Sequence, residues 1–326
     1  MNDPQKYTAK VEVTTTARLH MGFFDLNGQL GRRFGSLGLS LQALPTHIEL
    51  ALGEQVFADQ DQSSYVNNYK QALLAHLSIA EPVSVRVLQQ MPRHSGLGSG
   101  TQMALAIGAG INQLFGCQLS FTEIASIVQR GRRSGIGIGT FAHGGLVLDG
   151  GVGAHTTIPP VIAQHPFPPE WRILLIFDRS HIGVHGAEEV QAFNSLADHT
   201  LSATQKVSHA LLMQALPAIL EQDLAQFGAA IAQLQAYNGD YFSPTQGGRY
   251  ASKQVAPVLE HLANLGISCV GQSSWGPTGF AVFESERVAK QYLQGLQAKF
   301  SHPDLAWLIC GANNTGASVV SKHHAS

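Results

Sequence analysis

The chain has 326 residues, and 20 Lys plus Arg against 22 Asp plus Glu leave a formal charge of −2 at pH 7. Charged residues make up 13% of it, about half the ~25% of an ordinary soluble domain, which excludes a broad nucleic-acid-binding surface and a polyanionic chain. At 44% hydrophobic it is not disordered, and no apolar run approaches the ~18 residues of a membrane span. At ~150 residues per domain the length predicts two domains. The opening MNDPQKYTAK is polar and lacks an apolar signal core, and Cys117, Cys269 and Cys310 are widely separated. Both point to a cytoplasmic protein with reduced thiols and no disulfide framework.

In chain order, Lys10–Thr16 (KVEVTTT) and Thr46–Leu52 alternate and predict strands. Asn68–Leu77 has helical spacing, and Val83–Leu88 (VSVRVL) predicts a further strand. Thr101–Phe115 predicts an apolar helix and Thr122–Arg130 a second one, with Thr122 as candidate N-cap. Eight glycines fall in Gly131–Gly151, with short β-like pieces such as GGLVLDGG. Five prolines in Ile158–Pro169 mark a domain boundary, giving expected units of 7–165 and 166–326. Beyond it, Arg172–Phe177 predicts a buried strand, and residues 200–235 two amphipathic helices broken near Pro217. Val255–Leu265 and Val288–Phe300 predict helices; Ile267–Val270, Gly279–Phe283 and Leu305–Ile309 predict strands. The class is α+β. Residues 1–6 and 321–326 read as frayed ends.

Chemistry concentrates in four stretches. Pro92–Gln102, PRHSGLGSGTQ, lies between a predicted strand and a predicted helix. Gly96, Gly98 and Gly100 let the backbone turn, and exposed N–H groups at a helix start attract anions. Ser95, Ser99 and Thr101 add hydroxyls and Arg93 adds charge; the alternative is a plain glycine turn. Ala17–Ser40 brings together Arg18, His20, Asp25, Arg32 and Arg33 in a chain poor in charge. Either Asp25 caps the D-L-N-G turn and the arginines face solvent, or the arginines hold an anion and Asp25 a metal or hydroxyl. Gly271–Gly279, GQSSWGPTG, is a small-residue loop that can bring its backbone to a ligand while Trp275 stacks on a ring, or a turn whose Trp fills a gap. His181 and His185 stand at i, i+4, but Gly183 disfavours a helix and no third zinc ligand is evident; a helix starting near Gly186 is expected instead.

Together these stretches resemble the GHMP kinase superfamily. PRHSGLGSGTQ is similar to its second, phosphate-loop motif, and GQSSWGPTG falls where its third motif does. ARLHMGFFDLNGQLGRRFGSLGLSL, GLGSGTQ, GRRSGIGIGTFAHGGLVLDGG, GVHGAEE and GQSSWGPTG occur in the order seen in the β-ribofuranosylaminobenzene 5′-phosphate synthase family, across roughly residues 8–320. The resemblance implies an N-terminal domain like domain 2 of ribosomal protein S5 and a ferredoxin-like C-terminal domain. Two features depart from the kinases: Gly100 stands where a second loop Ser usually helps hold the metal, and Ser134–Ala142 carries no catalytic Asp.

The activity implied is condensation of phosphoribosyl pyrophosphate with 4-aminobenzoate or 4-hydroxybenzoate, an early step toward tetrahydromethanopterin. Pyrophosphate and CO2 would be released, with Mg²⁺ as the expected cofactor and no organic one. By the same resemblance Asp25, Arg32, Arg18 and His20 are the catalytic candidates, with Asp25 also the candidate Mg²⁺ ligand. Arg93, Ser95, Gly96, Leu97, Gly98, Ser99, Gly100, Thr101, Gln102, Ser273, Ser274, Trp275 and Gly276 are the binding candidates. One arginine among Arg18, Arg32 and Arg33 would hold the benzoate carboxylate or the 5′-phosphate, and Trp275 or Phe141 would stack on the ring. An ATP-dependent small-molecule kinase is the alternative, and a non-catalytic phosphate sensor a third. Small anionic ligands, no nucleic acid or membrane, and a homodimer are the expected partners.

Overall fold

Three antiparallel four-stranded sheets organise the chain, seen here in a computed structural model that describes residues 10–322 except 54–55, 58–60, 62, 182, 184–195 and 197. The first sheet contains β1 (Lys10–Thr15), β5 (Thr46–Leu52), β6 (Val83–Gln89) and β14 (Ser318–Lys322), in the order β14-β1-β5-β6. β1 alternates as its sequence does, burying Val11, Val13 and Thr15. Helices α1 (Ser64–His76) and α2 (Ser99–Phe115) cover this sheet, and α2 is apolar nearly all round because it lies in the middle of that core.

The second sheet has the order β2-β4-β7-β9, from β2 (Arg18–Phe23), β4 (Ser36–Ser40), β7 (Leu146–Asp149) and β9 (Val161–His165). A two-stranded ribbon of β3 (Arg32–Arg33) and β8 (Val152–Gly153) closes beside it. Short helices α3 (Phe121–Ile127) and α4 (Ile136–His143) precede β7.

The third sheet is β11-β12-β10-β13: β10 (Arg172–Asp178), β11 (Val270–Gln272), β12 (Gly279–Phe283) and β13 (Leu305–Cys310). Numbered within this half the strands run 2-3-1-4, and helices fall after the first and third, which is the ferredoxin-like βαββαβ arrangement. The helices are α5 (Leu201–Ala210), a π turn at Leu211–Ala215, α6 (Leu216–Glu221), α7 (Leu224–Gln246), α8 (Ala256–Asn264) and α9 (Glu286–Lys299).

Most predicted elements form within a few residues of their expected ends, and the α+β expectation holds. Four differences have physical reasons. The N-cap of α3 is Ser120, not Thr122, because Ser120 and Glu123 form a reciprocal capping box. The break expected at Pro217 is displaced: the π turn before it absorbs the missing N–H, and the chain reverses at Gln222–Asp223, where Gln222 is left-handed (φ 57°). The β-like piece GGLVLDGG does supply β7, but the glycine-rich stretch before it, for which no helix was expected, forms α4. A Cβ at Gly137 would meet Thr101 Cγ2 at 2.9 Å, and one at Gly139 would meet Val147 Cγ1 at 2.7 Å, so these glycines serve close packing. Finally, β14 leaves the C-terminal half and pairs with β1 from Lys10↔Lys322 to Thr14↔Ser318. The end expected to fray from Ser321 is therefore in a sheet as far as Lys322, and residues 318–322 belong with the first half. The helix expected near Gly186, with His185, lies outside the described residues.

Candidate active site

Gly98, left-handed at φ 85°, is the N-cap of α2, and its carbonyl accepts from Thr101 N (3.1 Å), so the N–H groups of Ser99 and Gly100 stand at the positive end of the helix. No acidic residue occupies that first turn. These residues floor a cleft of about 350 Å³ whose walls include Arg18, Tyr65, Tyr69, Gln90, Arg93 and Arg130. Ser274, Trp275 and Gly276 close its far side. Three guanidinium groups therefore surround one helix N-terminus, and no carboxylate lines the cleft among the described residues.

The loop is held from behind. Arg18 donates from its backbone N to Leu97 O (3.0 Å) and from Nη1 to Gly96 O (2.8 Å). Ser273 Oγ also donates to Gly96 O (2.8 Å), and Thr278 Oγ1 to Ser95 O (2.8 Å). Gly96 is glycine by necessity, with φ 79° and the Ser273 carbonyl 2.4 Å from where a Cβ would stand. The loop of residues 273–278, between β11 and β12, thus clamps the phosphate loop from the C-terminal half. It is tied to β2 in turn, since His20 N donates to Ser273 Oγ (3.0 Å) and Ser274 N to His20 O (2.9 Å).

Of the sequence candidates, Arg18, Arg93, Gly96, Gly98, Ser99, Gly100, Thr101, Ser274, Trp275 and Gly276 meet at this cleft. Leu97, Gln102 and Ser273 do not: each is at most 1% exposed and braces the loop. Gln102 accepts from Thr15 Oγ1 and donates to Gly137 O (2.8 Å), which joins β1, α2 and α4. Ser95 turns its hydroxyl to Pro92 O (3.0 Å).

The first cluster divides differently from its sequence grouping. Asp25 Oδ1 accepts from the N–H groups of Asn27 (3.0 Å) and Gly28 (2.9 Å), the turn-capping alternative, and does not line the cleft. Arg32 donates to Gly150 O and Gly151 O (both 2.8 Å), which pins β3 to the β7–β8 turn. Arg33 pairs with Asp198 (2.6 Å) beside the Phe34 ring. None of the three reaches the α2 N-terminus.

His20 is buried and neither ring nitrogen has a hydrogen-bond partner among the described residues. Burial, then the Arg18 and Arg133 guanidinium groups, push its pKa down to about 3, so it is neutral near pH 7. It faces a cavity of about 20 Å³, room for one water, separated from the cleft by Ser274 and Trp275, which line both. The Trp275 ring packs on Phe242 (4.4 Å) and Phe141 on Phe121 (4.9 Å), so the Phe141 ring belongs to the core rather than to a stacking surface.

Tyr65, Tyr69, Gln90 and Arg130 were not singled out from sequence. The usable signal for the tyrosines was their i, i+4 spacing, which places both on one face of α1. Arg93 lies over the Tyr65 ring (4.2 Å), and Gln90 Nε2 donates to the Tyr65 hydroxyl (2.8 Å).

The residues present do not make a resident magnesium site. No group of three or more His, Cys, Asp or Glu side chains able to hold a metal occurs among the described residues, and Asp25 is committed to its turn away from the cleft. The acid closest in sequence to α4 is equally committed. Asp149 is fully buried and accepts from Ser36 Oγ (2.5 Å), Ser134 Oγ (3.1 Å), Gly135 N (2.8 Å) and Gly151 N (2.9 Å); burial raises its pKa.

Comparison with known proteins decides the family. Residues 64–145 match the model of the GHMP kinases N terminal domain, and residues 215–302 that of the GHMP kinases C terminal. The β-ribofuranosylphenol 5′-phosphate synthase of Methanocaldococcus jannaschii is 32% identical over 94% of this chain and 99% of its own length. The chain belongs to this synthase family, within the GHMP kinase superfamily. It is accordingly an enzyme. The Archaeoglobus fulgidus synthase of the same name is 32% identical over 84% of this chain and 88% of its own, and that of Methanothermobacter thermautotrophicus 28% over 94% and 98%. Among solved structures, homoserine kinase from Cytophaga hutchinsonii superposes with a TM-score of 0.67 at 17% identity, covering 98% of this chain and 99% of its own. Mevalonate diphosphate decarboxylase from Staphylococcus aureus gives 0.66 at 15%, covering 96% and 98%. Both show the GHMP fold of this synthase family member. No described helix is long and apolar enough to cross a membrane.

Proposed function

We propose that the protein condenses phosphoribosyl pyrophosphate with 4-hydroxybenzoate or 4-aminobenzoate, forming the C-riboside 5′-phosphate with release of pyrophosphate and CO2. The product serves tetrahydromethanopterin synthesis. The observation that carries this reading is the chemistry of the cleft: three guanidinium groups line it, and no carboxylate does among its described lining residues.

The balance of the reaction explains that chemistry. The ring carbon bearing the carboxylate attacks C1 of the ribose as the C1–O bond to pyrophosphate breaks. The electron pair of the ring–carboxylate bond then returns to the ring, and CO2 departs. No proton is removed, because CO2 leaves where a proton would in an ordinary aromatic substitution. The protein needs donors for the departing pyrophosphate and alignment of ring with ribose, not a general base. The N–H groups of Ser99 and Gly100, with the Arg18 and Arg93 guanidinium groups, are the donors this cleft offers to that charge. Any Mg²⁺ in the reaction would arrive on the donor's pyrophosphate. A kinase, by contrast, gains from a residue that accepts the hydroxyl proton, and Asp149 is not available for it.

The name of the archaeal relatives, a ribosylated phenol, favours 4-hydroxybenzoate as acceptor. Incubation with phosphoribosyl pyrophosphate, Mg²⁺ and each carboxyl-labelled benzoate is expected to liberate labelled CO2 with one pyrophosphate per CO2. ADP formation from ATP and a panel of alcohols, without CO2 release, would establish the kinase instead.

A further inference from the structure

Arg130 has no role in any motif, yet its position is built. It follows α3, which ends in a Schellman motif: Gln129 is left-handed (φ 56°), Arg130 N donates to Ala125 O (2.8 Å) and Gln129 N to Ser126 O (3.1 Å). That turn directs the side chain across the cleft wall. Arg130 Nε donates to the Tyr69 hydroxyl (2.8 Å), and Nη2 bonds the same oxygen. The guanidinium then lies over Gly100: a Cβ there would stand 3.4 Å from Cζ and Nη2 and 3.6 Å from Nη1.

Arg18 flanks the other side, with Nε 3.1 Å from where a Cβ of Gly98 would stand. The two guanidinium groups thus bracket the first turn of α2. Positive charge at a helix N-terminus is unfavourable, since the dipole there is already positive. Arg130 makes no ion pair among the described residues, and no acid of the α2 first turn offsets it. An arrangement that costs the empty protein electrostatic energy is explained by a multivalent anion that fills it.

We infer that Arg130 is a donor-binding residue. Together with Arg18 it grips a diphosphate across the α2 N-terminus, one guanidinium on each flank, and Tyr69 is the residue that positions it. The identity of the diphosphate as that of the ribosyl donor rests on the proposed function; the diphosphate site itself does not.

The test is calorimetric titration of inorganic pyrophosphate, with and without Mg²⁺, into the full chain and into Arg130→Gln, Arg130→Lys and Tyr69→Phe. Loss of charge-assisted hydrogen bonds should weaken pyrophosphate binding about tenfold or more in Arg130→Gln. Arg130→Lys should recover part of it, and inorganic phosphate, too short to span both flanks, should lose less. In turnover assays the KM for the donor should rise while that for the benzoate stays. Pyrophosphate affinity equal to wild type in a folded Arg130→Gln protein, or no pyrophosphate binding by the wild type, would overturn the inference. Loss of affinity in Arg130→Gln from a wild type that liberates no CO2 would instead leave the diphosphate site standing and remove the synthase reading.

Discussion

His20 shows how burial sets the behaviour of one side chain. Its pKa falls from 6.5 when unfolded to about 3 in the fold. Above pH 6.5 both states hold it neutral and it has no influence on stability. As the pH falls from 6.5 toward 3 the unfolded chain takes up a proton that the folded one refuses, so stability declines, by about 2 kcal/mol at pH 5. His20→Asn is expected to flatten that acid limb: denaturant midpoints at pH 7 and pH 5 should lie closer together than in the wild type. An unchanged gap would show that other groups set the acid limb. The sequence grouped His20 with the charges around it, but a strand position says nothing about whether the ring will meet a ligand or a core. Asp25 and Arg32 teach the same lesson. Their neighbours in sequence are the charges of one cluster, whereas their partners in space are backbone groups at Asn27, Gly28, Gly150 and Gly151.

At the scale of elements, glycines separate what was legible from what was not. Alternation and apolar spacing gave β1, β5 and β6 of the first sheet, the strands of the third and the span of α2, since those patterns depend on burial alone. α4 escaped because Gly137 and Gly139 read as loop residues, although they are there to let the helix approach α2 and β7. The same reasoning predicts opposite signs for two helix glycines. Gly139→Ala must displace Val147 and Val161, whose methyls would lie 2.7 and 2.9 Å from the new Cβ, and should cost about 1–3 kcal/mol. Gly295→Ala in α9 meets nothing within 4 Å and should stabilise by about 0.5–1 kcal/mol. Thermal melts of the two variants should move in opposite directions; a shared direction would refute the packing account of α4.

Across the whole molecule, the anion cleft exists only because distant segments converge. The phosphate loop comes from residues 95–101, its clamp from residues 273–278, and its flanking arginines from β2 and the end of α3. The phosphate loop and its clamp were visible in the sequence as glycine-rich stretches. Arg130 and the two tyrosines were not, because only the packing of α1 and α3 beside α2 brings them to it. The closing strand β14 is a second long-range dependence. Ending the chain at Ala317 would strip β1 of its outer neighbour and expose a sheet edge. We expect that truncation to lower the melting temperature and to shift the protein toward aggregates in size-exclusion chromatography; a monodisperse, equally stable product would show that β14 is dispensable.

The pairing of Lys10 with Lys322 also sets an order in time. β14 is made about three hundred residues after β1, roughly 15–60 s later at ordinary rates of protein synthesis. Throughout that interval the edge of β1 destined for β14 is open on the nascent chain. The first sheet, and with it the foundation under the α2 N-terminus, gains its last strand only when translation has passed Lys322.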